Sequence, residues 1–262
     1  MSDKKDFYIG WQDELPKENK SLLKKVLIPL FILIPILIFA IVLLQKPFNN
    51  HLYEFGTTSE ITGTYFHTPF PMLIADEQMV KERLSKDILL VGYGKFGAEG
   101  VMNEIQKKNG DLNGKKIILQ GTLNHGDGKT LLELTQEEAS FIKIENQATK
   151  NIPLTLAKAM TLQGEIIDPK CYFGVMKPGE GKVHKSCATR CISGGIPPVL
   201  RHETGDASAP YRYYLLVEKN GKNINKEILP YVAEQVKIEG MASTIASWDV
   251  LNFDIEHLKM VE

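Results

Sequence analysis

The sequence predicts an N-terminal transmembrane helix followed by a mainly β region with short helices, folded as two small barrels. Three observations lead to this fold class. An uncharged apolar run lies near the N-terminus, short segments rich in β-forming residues follow it, and a similar order of those segments occurs twice. With 262 residues, the chain is long enough to bury a core in each of two small domains.

The apolar run at residues 26–44 reads VLIPLFILIPILIFAIVLL and contains no charged residue. At about 1.5 Å per residue in a helix, its length nearly matches a hydrocarbon core about 30 Å thick. Pro29 and Pro35 would kink a helix in water, but membrane helices tolerate proline. A cleaved signal peptide is disfavoured, because the run and the leader before it are long and no small-residue cleavage pattern follows. We therefore predict an uncleaved, single-pass transmembrane anchor.

The charges on either side of the run predict its orientation. Several lysines lie shortly before the run, whereas Lys46 alone follows it closely. The positive-inside rule then places residues 1–25 in the cytoplasm as a polar tail and residues 45–58 outside it as a linker. The expected location is the cell (inner) membrane, with all later residues periplasmic or otherwise extracytoplasmic.

Two β regions, residues 59–150 and 151–262, show the same order of segments. The strand patterns of the first are EITGTYF, DILLV, KKIILQG and TLLEL, and those of the second are TLQGEII, YYLLV, QVKIEG and WDVLNF. Each region has a short helical pattern before its third strand pattern, at residues 98–108 and 226–233. This order indicates an internal duplication with a period of roughly 100 residues. Short strands with glycine kinks and one helix are typical of small, partly open barrels of the oligonucleotide/oligosaccharide-binding (OB) type.

The second region carries an insertion, residues 168–200, which contains all three cysteines of the chain. His184, Cys187 and Cys191 are spaced i, i+3 and i+7, so a helix would present them on one face. Cys171 precedes them across a Gly/Pro-rich loop. Thiolate and imidazole are ligands of zinc, copper and iron–sulfur centres, and three sulfurs with one nitrogen make a tetrahedral set. We therefore predict that these four residues bind a metal ion or an iron–sulfur cluster.

Two metal-free interpretations of the cysteines remain open. Three cysteines outside the cytoplasm cannot all pair within one chain, so one disulfide with a leftover thiol is an alternative. Helical geometry disfavours a disulfide between Cys187 and Cys191, whereas Cys171 could pair with either. In the other interpretation, all three cysteines stay reduced and unliganded.

Nucleic acid and nucleotide are poor candidates for ligands. The formal net charge of -1 shows no basic bias. Residues 92–97 (GYGKFG) match the G-x-G-x-x-G dinucleotide pattern, after a predicted strand and before a predicted helix. However, the next strand pattern ends in Gln120, where an acidic residue should bind the ribose. A glycine-rich turn in a barrel is the simpler interpretation.

Other polar residues near the insertion are weaker candidates. Basic residues flank it and would either attract an acidic partner or simply solvate the loop; they are Lys170, Lys177, Lys182, Lys185, Arg190 and Arg201. The nearest carboxylates in sequence are Asp168 and Glu203. We expect His67, His125 and His257 at the surface, and also His202, which is the reserve candidate for a ligand.

Much of the region beyond the anchor resembles a group of membrane-anchored bacterial proteins. The similar blocks are ILLVGYGKFGA, GTLNHGDGKTLLEL and GEIIDPKCYFGVMKPGEGKVHKSCATRCISGGIPP. The resemblance implies the same domain layout. It implies no activity, because none is attached to that group.

These patterns lead to a hypothesis about function. The leading expectation is a membrane-anchored, extracytoplasmic protein whose Cys/His centre makes it an accessory or electron-transfer subunit of a membrane complex. One alternative is a metal-free scaffold or assembly protein in which a disulfide formed by Cys171 stabilises the insertion. Another is an extracytoplasmic thiol oxidoreductase using Cys187 and Cys191. No nucleophile, base and orienting group form an evident set, so a non-catalytic role is favoured over an enzyme.

Overall fold

The computed structural model of the chain separates into two compact units, Met1–Phe48 and Asn49–Glu262. Residues 1–16 of the predicted cytoplasmic tail and residues 46–50 of the predicted linker lie outside the part of the chain that the structure describes. The described residues are 17–45, 51–76, 85–135, 137–146, 151, 155–245 and 247–261.

The first unit contains one long helix, α1 (Lys17–Leu44), which confirms the predicted apolar helix and begins before the apolar run itself. Pro29 and Pro35 lie inside α1 without ending it. Its large apolar side chains are exposed, and exposed apolar surface of this extent needs a covering such as lipid. Among the described residues, α1 is the one helix long and apolar enough to cross a membrane, and such a helix serves as an anchor or as a signal sequence.

A closed five-stranded barrel begins the second unit, and two further strands extend it. In chain order the strands are β1 (Leu52–Tyr53), β2 (Ser59–Phe66), β3 (Met72–Ala75), β4 (Asp87–Val91), β5 (Lys116–Gly126), β6 (Lys129–Leu134) and β7 (Phe141–Asn146). The barrel closes in the order β2-β3-β4-β6-β5, and β1 and β7 pair with β5. All neighbours are antiparallel except β4 and β6, which are parallel. Helix α2 (Glu99–Asn109) connects β4 to β5 and buries Met102 and Ile105 in the core of this barrel.

A second closed barrel follows the first. Its strands are β8 (Lys158–Ile167), β9 (Val199–Glu203), β10 (Tyr211–Glu218), β11 (Gln235–Ile245) and β12 (Trp248–Met260). It closes in the order β8-β9-β10-β12-β11, which is the order of the first barrel strand for strand. Again one neighbouring pair, β10 and β12, is parallel and the others are antiparallel. Between β8 and β9 lies the insertion, with helix α3 (Lys185–Ser193) in it.

The helix predicted at residues 226–233 is wrong, because only a short 3-10 turn forms there, at Leu229–Tyr231. Pro230 lacks an N–H donor and disfavours a helix interior. Ala233 adopts a left-handed backbone with φ 59°, which ends any helix before it. The predicted limits of the two regions, residues 59–150 and 151–262, stay a prediction.

Besides the core of each barrel, one hydrophobic cluster joins the two barrels and the insertion. Phe66 and Leu89 of the first barrel, Phe173 of the insertion and Trp248 of the second barrel belong to the same buried cluster. The Trp248 Nε1–H also donates to the carbonyl of Asp87 across the barrels, at 3.2 Å. Each fully buried large apolar side chain contributes about 1.5–3 kcal/mol. The insertion is therefore held firmly against the first barrel.

Candidate metal centre

A tight turn after β8 positions Cys171. The Asp168 Oδ1 accepts the backbone N–H of Lys170 at 2.9 Å and that of Cys171 at 3.4 Å, which starts the π-helical turn Cys171–Val175. The loop then returns over this turn at Gly179, where a Cβ atom would lie 2.5 Å from the Cα of Tyr172. Only glycine allows so close an approach of the two backbones. Cys171 is buried as a result.

Helix α3 positions the other two thiols. His184 is its N-cap residue, and Cys187 and Cys191 follow at i+3 and i+7, so they share one face as predicted. The Gly194 N–H donates to the carbonyls of Arg190 and Cys191 and ends the helix. The buried face of α3 encloses Cys191 and leaves Cys187 half-buried.

The structure brings the three thiols together, and all three are free. Their sulfurs all lie within 4.8 Å of one another, and the Cys171 and Cys187 sulfurs are 4.0 Å apart. A second set of atoms with the same mutual spacing contains the Cys171 sulfur, a His184 ring nitrogen and an Asp168 carboxylate oxygen. His184 therefore lies in this second set and does not complete the set of three thiols. Asp168, which the sequence offered only as a nearby carboxylate, becomes a candidate ligand.

The surroundings set the protonation of these groups. The hydrogen bond with Cys191, burial and the negative charge of Asp168 raise the pKa of the Cys171 thiol, so a metal ion has to displace its proton. Burial lowers the pKa of His184, which favours the neutral imidazole that metal ions bind. The hydrogen bond to Cys187 raises the pKa of Lys95, so this side chain is an ammonium.

Lys95 comes from the first barrel, on the glycine-rich loop at residues 92–97. Its Nζ lies 3.0 Å from the Cys187 sulfur. The Gly97 N–H donates to the Gly194 carbonyl at 3.0 Å, and a Cβ atom at Gly97 would lie 2.1 Å from the Gly195 carbonyl oxygen. This close approach to the end of α3 accounts for a glycine at position 97. The sequence pattern located the loop but did not connect it with the cysteines.

Buried Lys170 joins the glycine-rich loop to the insertion. Its ammonium is 3.1 Å from Glu133 Oε2 and donates to the carbonyls of Gly92 and Gly94 at 2.9 Å and 2.6 Å. The Tyr53 hydroxyl donates to the same Glu133 oxygen, at 2.9 Å. The charge of Lys170 is therefore compensated inside the protein by Glu133 and does not contribute to a basic surface.

The expected basic surface around the insertion is correspondingly reduced. Arg201 is buried and pairs with Glu165 at 3.1 Å, and Lys185 pairs with Glu234 at 2.6 Å. Lys170 is the third of the six basic residues that forms an ion pair, so half of them are paired. Lys177, Lys182 and Arg190 remain on exposed positions.

His125 and His202, two of the predicted surface histidines, lie on strands β5 and β9. His125 is buried, contrary to the prediction, because β1 pairs over that end of β5 and places Leu52 opposite it. Its Nε2 is 3.3 Å from Glu54. His202 lies on β9 with its Nδ1 2.7 Å from the Gln163 carbonyl, and it belongs to neither set of candidate ligands.

No protein-family model, curated protein or solved structure matches this chain. The chemistry of the centre must therefore follow from its own donor atoms. Three sulfurs near one another could bind a metal ion, and soft or borderline ions such as zinc, copper and iron prefer such donors.

Proposed function

We propose that this is a membrane-anchored metal-binding protein that serves as an accessory or electron-transfer subunit of a membrane complex. The observation that carries the proposal is the cluster of three free thiols, whose sulfurs lie within 4.8 Å of one another although Cys171 and α3 are separate elements. Cysteines that merely fill a core do not need to converge in this way, whereas metal ligands do.

The spacing favours a directly bound ion over a four-iron cluster. Zinc binds thiolates at about 2.3 Å, so two sulfurs of a tetrahedral site stand about 3.8 Å apart. The 4.0 Å between the Cys171 and Cys187 sulfurs is close to that value. In a four-iron cluster each cysteine binds a different iron, so irons and inorganic sulfides stand between the cysteines and hold their sulfurs further apart.

The position of Cys187 supports exchange with a partner. Cys171 and Cys191 are buried, but Cys187 is only half-buried and contacts exposed Lys95. A centre whose edge reaches the surface could pass electrons or a metal ion to another protein. Exposed Tyr93 and Phe96 lie on the same loop, and aromatic side chains are enriched in protein interfaces.

The anchor and the barrels complete the proposal. Helix α1 would hold the protein in the cell (inner) membrane, and the lysines in its first turns, before the apolar run at residues 26–44, support a cytoplasmic N-terminus with the metal centre outside the cytoplasm. The equal strand orders support an internal duplication of an OB-type barrel, since each barrel has one parallel pair at the same place. The second copy then gained the insertion with the cysteines.

Replacement of Cys171 by serine tests the proposal, because its sulfur belongs to both sets of candidate ligands. We expect chelator-treated, reduced wild-type chain in detergent to bind Co²⁺ with a thiolate charge-transfer absorption, and Cys171→Ser to lose it. Ser186→Ala, on the exposed side of α3, is the matched control and should bind as the wild type does. Equal cobalt binding by Cys171→Ser, with its barrels folded by circular dichroism, contradicts the proposal.

A metal-free scaffold is the second candidate function, favoured by the short distance between the Cys171 and Cys187 sulfurs. Alkylation of the denatured chain, with and without prior reduction, separates the two candidates. The metal proposal predicts three alkylated cysteines in both samples, whereas a disulfide leaves one in the unreduced sample. A disulfide between Cys187 and Cys191 that forms and reduces reversibly would instead favour a thiol oxidoreductase.

A further inference from the structure

The insertion contains two sets of candidate ligand atoms that share one sulfur. One set is the sulfurs of Cys171, Cys187 and Cys191, and the other is the Cys171 sulfur with an Asp168 oxygen and a His184 nitrogen. We propose that the two sets bind two metal ions, with the Cys171 thiolate bridging them. This inference rests on the proposed metal-binding function of the same site.

A single ion cannot use all five residues. Ligand atoms at about 2.0–2.3 Å from a tetrahedral ion stand about 3.3–3.8 Å from one another. The Asp168 oxygen and the His184 nitrogen do not fall within 4.8 Å of all three sulfurs. An ion centred among the sulfurs therefore leaves Asp168 and His184 unused, and these two residues with Cys171 offer a place for a second ion.

The unused atoms are buried and lack partners. Asp168 is 0% exposed and His184 is 3% exposed, and the Asp168 Oδ2 and His184 Nε2 have no hydrogen-bond partner. Burying polar atoms without a partner is costly, so atoms left in this state point to a ligand. The other carboxylate oxygen, Oδ1, accepts the Lys170 N–H and fixes the orientation of the group. The two residues that carry these atoms are the ones that place an oxygen and a ring nitrogen within 4.8 Å of the Cys171 sulfur.

The charge of the site agrees with two ions. With metal bound, three thiolates and one carboxylate carry four negative charges, which two divalent cations balance and one does not. Uncompensated charge is unfavourable in a buried site. The neighbouring ammonium groups do not remove the excess, because Lys170 pairs with Glu133, and Lys95, 3.0 Å from the Cys187 sulfur, is exposed to solvent.

The stoichiometry of Zn²⁺ binding tests the inference on the full chain in detergent, treated with chelator and kept reduced. We expect two zinc ions for the wild type and none for Cys171→Ser. Cys187→Ser should bind one, because it damages only the set of three sulfurs. Asp168→Asn and His184→Gln should also bind one each, because they damage only the other set. Asparagine keeps the oxygen that accepts the Lys170 N–H, so the turn is preserved in Asp168→Asn.

The variants that lose zinc show whether the two-ion inference alone fails or whether the proposed metal binding fails as well. One zinc in the wild type, kept in His184→Gln and lost in Cys187→Ser, overturns the two-ion inference and leaves metal binding intact. No zinc in any form overturns both. A Co²⁺ titration gives a second measurement that does not depend on the variants. Two ions predict that the absorption of the wild type changes up to two equivalents, and an end point at one equivalent contradicts the inference.

Discussion

At the scale of single residues, Lys170 links the two barrels at the candidate metal centre. Its ammonium is bound by Glu133 and by two carbonyls of the glycine-rich loop, with 3% of the residue exposed. A buried ion pair adds little net stability, but removal of one partner leaves the other charged and uncompensated. The next residue in the chain is Cys171, so the pair also fixes the start of the segment that carries the candidate ligands.

Lys170→Met should therefore lower the free energy of unfolding by about 3–5 kcal/mol. Lys107→Met is the matched control, because Lys107 and Glu104 form an exposed pair whose loss should cost less than about 1 kcal/mol. Urea unfolding of both variants measures the difference. Adding Glu133→Gln to Lys170→Met should recover part of the loss, since no buried charge then remains. Equal stabilities of the two single variants would refute this account of Lys170.

Some residues of the candidate site could be predicted from the sequence and others could not. The three cysteines and His184 were predictable, because their spacing and chemistry appear within one short segment. Asp168 was noted only as a nearby carboxylate, because nothing in the sequence shows that its second oxygen is buried without a partner. Lys95 was missed because its contact with Cys187 joins residues far apart in the chain.

At the scale of elements, the glycine-rich loop at residues 92–97 is a structural part of the candidate metal centre. It lies between β4 and α2, packs against the end of α3 and brings Lys95 to Cys187. Helix α3 was predictable from its ligand spacing and from the glycines and prolines after it. The docking of the loop was not, because periodicity identifies a turn but not its distant neighbour.

Gly97→Ala should disturb this docking, because its Cβ atom would meet the Gly195 carbonyl oxygen at 2.1 Å. We expect a loss of about 1–3 kcal/mol in stability and faster release of the bound metal to a chelator. Gly100→Ala is the control, since a Cβ atom there meets nothing within 4 Å and the residue lies in α2. It should be neutral or stabilising by up to about 1 kcal/mol. Urea unfolding and the rate of metal release to a chelator compare the two variants. Equal stabilities and equal release rates would contradict a role of Gly97 in docking the loop against α3.

At the scale of the whole molecule, the second unit combines two barrels of equal strand order through one hydrophobic cluster between them. The strands with alternating or β-rich patterns were predictable. Strands β3 and β9 were not, because MLIA and VLRHE are short and show no clear alternation. The hydrophobic cluster between the barrels could not be predicted either. A pattern of apolar residues shows that a strand face is buried, but not which other element packs against that face. The candidate metal centre lies where the two barrels meet, so its candidate ligands depend on the fold of both.

Elemental analysis tests the central claim most directly. The sample is the full chain, purified in detergent without a metal-affinity tag, under reducing and anaerobic conditions, with an absorbance spectrum recorded. We predict at least one equivalent of a transition metal or zinc per chain, bound by the cysteines of the insertion. Iron or copper with visible bands would assign electron transfer, and zinc would assign a structural accessory role. A chain that contains no metal, even with all three cysteines reduced, would contradict the account.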